Sequence, residues 1–258
     1  FKSIEATSFV SPKKIPQMKD ADLVFKGVES LQKKGLSLPC LVPNLTGLER
    51  ALSLNVKEIS FFTATSNTFN QKNTNASIAE SLVRLDELAK KAGEHKLKLR
   101  AYVSTVFGCP YEGETSIAVL TDLCQKILDA GAYEISLGDT IGVGNPDQVK
   151  RILDQLLKYI PGSKLALHFH DTRGLAVANI YSSLEYGINV FDSSAGGLGG
   201  CPYARGASGN VATEDLLYLF ESLKIETGID LEKVYQASKK ILKILNKTSG
   251  SKVVQFMD

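Results

Sequence analysis

Seven short apolar runs alternate with longer helical runs along the 258-residue chain, and this order predicts an α/β fold. The expected architecture is a (β/α)8 TIM barrel whose first β-strand unit is absent from the chain. Two further observations favour it over a doubly wound open sheet. Several of the short runs are near-continuously apolar, as parallel strands covered on both faces require. No Gly-rich phosphate-binding fingerprint follows an early strand, as a dinucleotide-binding open sheet would show. A barrel of about 250 residues gives roughly 30 per unit, the size of the expected loss. Phe1 already lies in a strand-like segment, so the first unit is the one expected to be missing. A single catalytic domain spans 1–258 on this reading, with no linker or low-complexity segment.

The strand candidates are residues 3–9, 38–43, 58–64, 97–104, 133–139, 164–170 and 189–195. Helices are expected at 20–34, 45–54, 77–91, 115–130, 145–159, 175–186, 213–223 and 231–245. In 77–91 the apolar positions Ile78, Leu82, Leu85 and Leu88 recur at helical spacing, as do Ile117, Leu120, Leu123, Ile127 and Leu128 in 115–130. The segment 145–159 opens with Asn145-Pro146, a capping residue followed by proline at the first helical position.

Composition excludes several classes of function. Hydrophobic content of 43% and charged content of 22% are ordinary for a globular protein. A formal charge of +2, without a dense Lys/Arg patch, gives no sign of nucleic-acid binding. The most basic stretch, 90–100, reads as a solvated helix end running into a strand. No apolar run approaches the roughly 18 residues of a membrane span, so no membrane partner is expected. Cys40, Cys109, Cys124 and Cys201 are far apart in sequence, which fits a reducing compartment. The expected location is cytoplasmic, or the mitochondrial matrix if a transit peptide precedes Phe1.

Active sites of barrels form at the C-terminal ends of strands. There the segment LHFHD (167–171) places His168 and His170 two residues apart on a strand, on one face, where both can reach one metal ion. The chain has only three histidines, and two meet here. A hydrogen-bonded pair of core histidines is the alternative. Asp171 is a candidate for orienting them. His95, at a helix end, reads as a surface residue. In SLGDT (136–140), Asp139 can act as a base, with Ser136 and Thr140 beside it, or simply start a turn. Glu5 lies on the first strand with Ser8 near its end. A buried glutamate there must be paired, so it holds a cation or ties strands together.

Cys40 and Cys124 read as core. Cys109, in FGCPYEG (107–113), sits in a post-strand loop, where an inert buried thiol and a site residue are both open. Six of the fifteen residues in GGLGGCPYARGASGN (196–210) are glycine, and the segment follows the last strand. Such glycines let a loop move over a ligand. Cys201 is then a candidate catalytic or capping residue, and Asn210 an amide oxygen that can join the histidines on a metal.

LHFHDTRGLAVAN, GGLGGCPYARGASGN, SLGDTIGVG, FGCPYEG and IEATSFVSPK together resemble the 3-hydroxy-3-methylglutaryl-CoA lyase family, from residue 1 to about 255. The cysteine loop is specific to that family, whereas the HxH strand is shared with other metal-dependent barrel lyases and synthases. The resemblance implies cleavage of 3-hydroxy-3-methylglutaryl-CoA to acetyl-CoA and acetoacetate, with a divalent cation, Mg²⁺ or Mn²⁺. It implies His168, His170 and Asn210 as metal ligands and Asp139 near the reacting hydroxyl. It further implies Glu5 as a support of the site and Cys201 on a mobile catalytic loop. Ser136, Tyr102 and Ser8 match positions near the substrate. An acyl-CoA as the small-molecule substrate and a homodimer are the expected partners. His168 and Cys201 are both candidates to protonate the enolate.

The family also carries an Arg-Asp pair on its first strand, the Asp a metal ligand. No such pair matches here, and the expectation is that the native protein has it ahead of Phe1. Without it the site keeps three protein ligands of four, and an inactive barrel is one alternative. The other is a Claisen-type synthase joining an acyl-CoA to a 2-oxo acid on the same barrel.

Overall fold

The computed structural model describes residues 1–200 and 209–257. Its strands are β1 (Thr7–Ser8), β2 (Cys40–Leu41), β3 (Glu58–Ala64), β4 (Lys98–Ser104), β5 (Glu134–Asp139), β6 (Leu165–Phe169) and β7 (Phe191–Asp192). Sheet order follows chain order from β1 to β7. The pairs β1–β2, β2–β3, β3–β4 and β6–β7 are parallel. All seven strands fall inside the runs expected from the sequence. This parallel sheet with intervening helices is the order of a TIM barrel.

The helices are α1 (Ala21–Val28), α2 (Leu45–Ser53), α3 (Asn67–Thr74), α4 (Ile78–Glu94), α5 (Ile117–Asp129), α6 (Pro146–Leu156), α7 (Ala176–Leu184), α8 (Thr213–Ser222), α9 (Leu231–Leu245) and α10 (Lys252–Met257). The expected helix 20–34 divides into α1 and a 3-10 segment, Glu29–Lys34, closed by left-handed Gly35. Two helices escape sequence periodicity. The α3 sequence NTFNQKNT has almost no apolar stripe, and it starts because the Ser66 side chain accepts from the Phe69 amide. The six-residue α10 is held by Asp215, whose carboxylate accepts from the Ser251 hydroxyl and the Lys252 and Val253 amides. As expected, Asn145 caps α6, its side chain accepting from the Gln148 amide, with proline next in line.

The chain divides into two compact units. The first comprises Phe1–Ser104 and Ala118–Ser136. Its core is built on Phe25, Leu48, Ile59, Phe61, Leu85 and Leu88, each essentially inaccessible, and full burial of each such side chain is worth about 1.5–3 kcal/mol. Cys40 and Cys124 lie in this core, and burial pushes each thiol up to about 12, which leaves both inert near neutrality.

The second unit comprises Thr105–Ile117 and Leu137–Asp258. In it β6 and β7 pair with Leu167 opposite Phe191 and His168 opposite Asp192. Beyond the strands, His170 bridges antiparallel to Asn210, and Ser194 parallel to Ala212. The buried Glu214 of α8 accepts from the Gly196 amide at 3.0 and 3.1 Å and from the Ser238 hydroxyl of α9. Gly142 must be glycine: at φ +60° a Cβ would stand 2.8 Å from the His170 carbonyl oxygen.

Candidate metal centre and its surroundings

The period of two along β6 sets His168 and the following His170 on one face, with ring centroids 5.3 Å apart. They differ in environment. His168 is part-exposed, and its Nδ1 lies 3.3 Å from Asp192 Oδ2 on the paired strand. A proton shared with that carboxylate sits on Nδ1, which leaves Nε2 as the basic nitrogen. His170 is 7% exposed, and its buried Nδ1 has no hydrogen-bond partner among the described residues. Burial first, and the His168 ring second, lower its pKa to about 4, so it is a neutral imidazole at physiological pH.

Asn210 faces His170 across the bridge. Its Nδ2 donates to the Leu198 carbonyl at 2.9 Å, which directs Oδ1 the other way, and this buried oxygen has no partner either. Two buried electron-pair donors without hydrogen-bond partners cost stability in a protein. A neutral imidazole and an amide oxygen, beside a second imidazole held by a carboxylate, suit a borderline-hard divalent cation. The residues therefore fit the metal expected from the sequence. Among the described residues no group of three or more His, Cys, Asp or Glu is placed to hold a metal ion, so a protein donor set here has to include the amide oxygen.

Asp139 ends β5 in the same unit and is fully buried. Its carboxylate accepts from the Val143 amide at 3.0 Å and the Gly144 amide at 2.9 Å. Burial raises its pKa above the usual carboxylate range, with the amide hydrogen bonds and Arg173 opposing. Thr140 accepts from the Thr105 amide at 2.8 Å. Asp171 accepts from the Ala176 amide at 2.9 Å and so helps begin α7, which is a different task from orienting the histidines.

In the first unit, the Tyr102 hydroxyl donates to Glu5 Oε2 at 2.8 Å, so two of the expected site residues do meet. Glu5 is exposed, contrary to the expected burial, although the backbone on either side of it pairs with residues 37–39. Ser8 has a buried hydroxyl without a partner, and Ser136 is fully buried on β5. His95 is an exposed helix cap, as expected. Cys109 is buried, and its sulfur accepts from the Tyr111 amide at 3.4 Å. It lines a cavity of about 670 Å³ with Phe107, Val143, Asn145, Gln148 and Arg151, a space that none of the expected metal ligands borders. Cys201 lies outside the described residues.

Two contributors were not singled out from the sequence. Asp192 stands at a strand end in NVFDSSA, a position where a carboxylate signals a site in a barrel. Leu198 acts through its carbonyl, which no side-chain pattern reveals.

Residues 1–241 match the family described as HMGL-like. The mitochondrial hydroxymethylglutaryl-CoA lyase of Macaca fascicularis is 50% identical over 98% of this chain and 77% of its own length. The crystal structure of the Bacillus subtilis HMG-CoA lyase superposes with a TM-score of 0.96 at 47% identity, covering 100% of this chain and 86% of that one. An Acinetobacter baumannii HMG-CoA lyase, solved in complex with coenzyme A and 3-methylmalate, gives a TM-score of 0.93 at 40% identity over 99% of this chain and 83% of that one. Relatives of both mitochondrial and cytoplasmic designation occur among the matches.

Proposed function

This chain belongs to the HMGL-like family and is a carbon–carbon lyase that cleaves 3-hydroxy-3-methylglutaryl-CoA to acetyl-CoA and acetoacetate; we propose how its own residues do so. The reading is carried by the pair of partnerless buried atoms, His170 Nδ1 and Asn210 Oδ1, beside His168. His168, His170 and Asn210 would hold a divalent cation, Mg²⁺ or Mn²⁺, which when bound would supply Lewis-acid polarisation of the substrate.

Asp139 takes the proton of the tertiary hydroxyl. Its raised pKa brings it nearer the working pH than an ordinary carboxylate, while two backbone amides keep the oxygens aimed. As the alkoxide collapses to the ketone, the bond between C2 and C3 breaks and its electron pair passes to the thioester enolate. The enolate takes a proton from His168 or Cys201 and leaves as acetyl-CoA. Asp192 orients His168 for either duty, ligand or acid. Glu5 supports the site by fixing the Tyr102 hydroxyl, and Ser136, Tyr102 and Ser8 bind the substrate. Cys201 acts from the glycine-rich loop. We take residues 1–258 as one catalytic domain that works as a homodimer.

The test is an incubation of full-length protein with 3-hydroxy-3-methylglutaryl-CoA and Mg²⁺, with and without chelator. Metal-dependent acetoacetate release is expected. Consumption of acetyl-CoA with a 2-oxo acid, without that release, would identify a synthase instead.

A further inference from the structure

We infer that Asn179 is a positioning residue for the reaction, aiming Asp139 through the loop 140–145; the inference rests on Asp139 being the base. Asn179 lies on α7 and is 1% exposed. Its Nδ2 donates to the Gly144 carbonyl at 3.0 Å, and its Oδ1 has no partner. The facing group is a carbonyl, which fixes which end of the amide is nitrogen. Leaving a buried acceptor unpaired costs stability, and an apolar side chain of similar size would avoid that cost. What asparagine supplies here is therefore its donor.

That donor acts one residue away from the chemistry. The Gly144 carbonyl is held by Asn179, and the Gly144 amide holds Asp139 Oδ2 at 2.9 Å. The backbone there approaches closely: a Cβ on Gly144 would stand 2.9 Å from Asp139 Oδ2 and 3.2 Å from the Phe107 side chain. The other half of the loop is gripped by Arg173, which donates to the Ile141 and Gly142 carbonyls at 2.8 and 3.0 Å. Both grips come from the segment that follows β6, the strand leading into His170. The loop holding the base is thus fastened to the segment that supplies a metal ligand, and all of these residues lie in one compact unit. Displacing a base by about an ångström costs on the order of 100-fold in rate.

The experiment compares Asn179→Ala and Asn179→Leu, the latter retaining apolar packing, alone and combined with Asp139→Asn in the full-length protein. Thermal melts and Mn²⁺ titrations accompany the kinetics. We expect each Asn179 variant to lower kcat by about 10–100-fold, with KM and Mn²⁺ affinity within about twofold. On the Asp139→Asn background the same substitutions should add no further loss, because the two residues act as one unit. A multiplicative loss in the double variants, a change in KM alone, or full kcat in both Asn179 variants would overturn the inference. Undiminished activity in Asp139→Asn alone would instead remove the base assignment, and this inference with it.

Discussion

His170 and Asn210 face each other across an isolated antiparallel bridge, and each carries a buried side-chain atom with no hydrogen-bond partner among the described residues. The bridge sets the two backbones at a fixed separation. The Leu198 carbonyl then turns the Asn210 amide so that its oxygen, not its nitrogen, is left over. As the proposed ligands, these two atoms would be in place before a cation arrives, which would keep the ordering cost of binding low.

Removing either donor should weaken metal binding directly. Mn²⁺ affinity, followed by electron paramagnetic resonance, should fall about 100-fold or more in His170→Ala and about 10–100-fold in Asn210→Ala. Asn210→Ala should also lower the metal-free melting temperature, since it deletes the hydrogen bond from Nδ2 to the Leu198 carbonyl. Unchanged Mn²⁺ affinity in both would take these residues out of the metal site.

Asp192 should act through His168. Asp192→Asn keeps the shape but lacks the charge that holds the imidazole proton on Nδ1. A loss of about 10–100-fold in Mn²⁺ affinity is expected. Wild-type affinity in this variant would show that the 3.3 Å contact does not orient the ring.

Metal-free stability should depend on pH through His170. In the folded chain this ring stays neutral down to about pH 4, whereas in the unfolded chain it takes up its proton near 6.5. Between these values the unfolded state binds more protons, so stability falls as pH drops from 6.5 toward 4. Urea unfolding with chelator at pH 7.5 and 4.5 should show His170→Asn escaping about 2–3 kcal/mol of the wild-type loss. Equal losses in the two proteins would mean the ring is not buried in its neutral form.

Cys201→Ser should separate the two candidates for the enolate proton. If the thiol delivers it, kcat should fall about 100-fold or more while Mn²⁺ affinity stays within about twofold. Near-normal turnover leaves His168 as the acid.

Much of the fold was legible because its signals are local. The apolar runs located all seven strands, and the Asn145-Pro146 pair located the start of α6. The polar α3 was not legible, since capping by Ser66 rather than an apolar stripe begins it. Glu5 does lie in a segment that pairs with residues 37–39, but its carboxylate is exposed against Tyr102 rather than buried.

The sequence by itself determined the alternation of strands and helices, the shared face of His168 and His170, and the family to which the chain belongs. All three rest on residues close in the chain or on the order of motifs, and the two-residue period of a strand needs no tertiary contact. Only the tertiary structure decided that Asp192 meets His168, that the Asn210 amide is turned by the Leu198 carbonyl, and that Asn179 holds the loop around Asp139. Those contacts join residues 12 to 35 positions apart. Their hydrogen bonds exist only once burial has removed water as the competing partner, and no local pattern records that event.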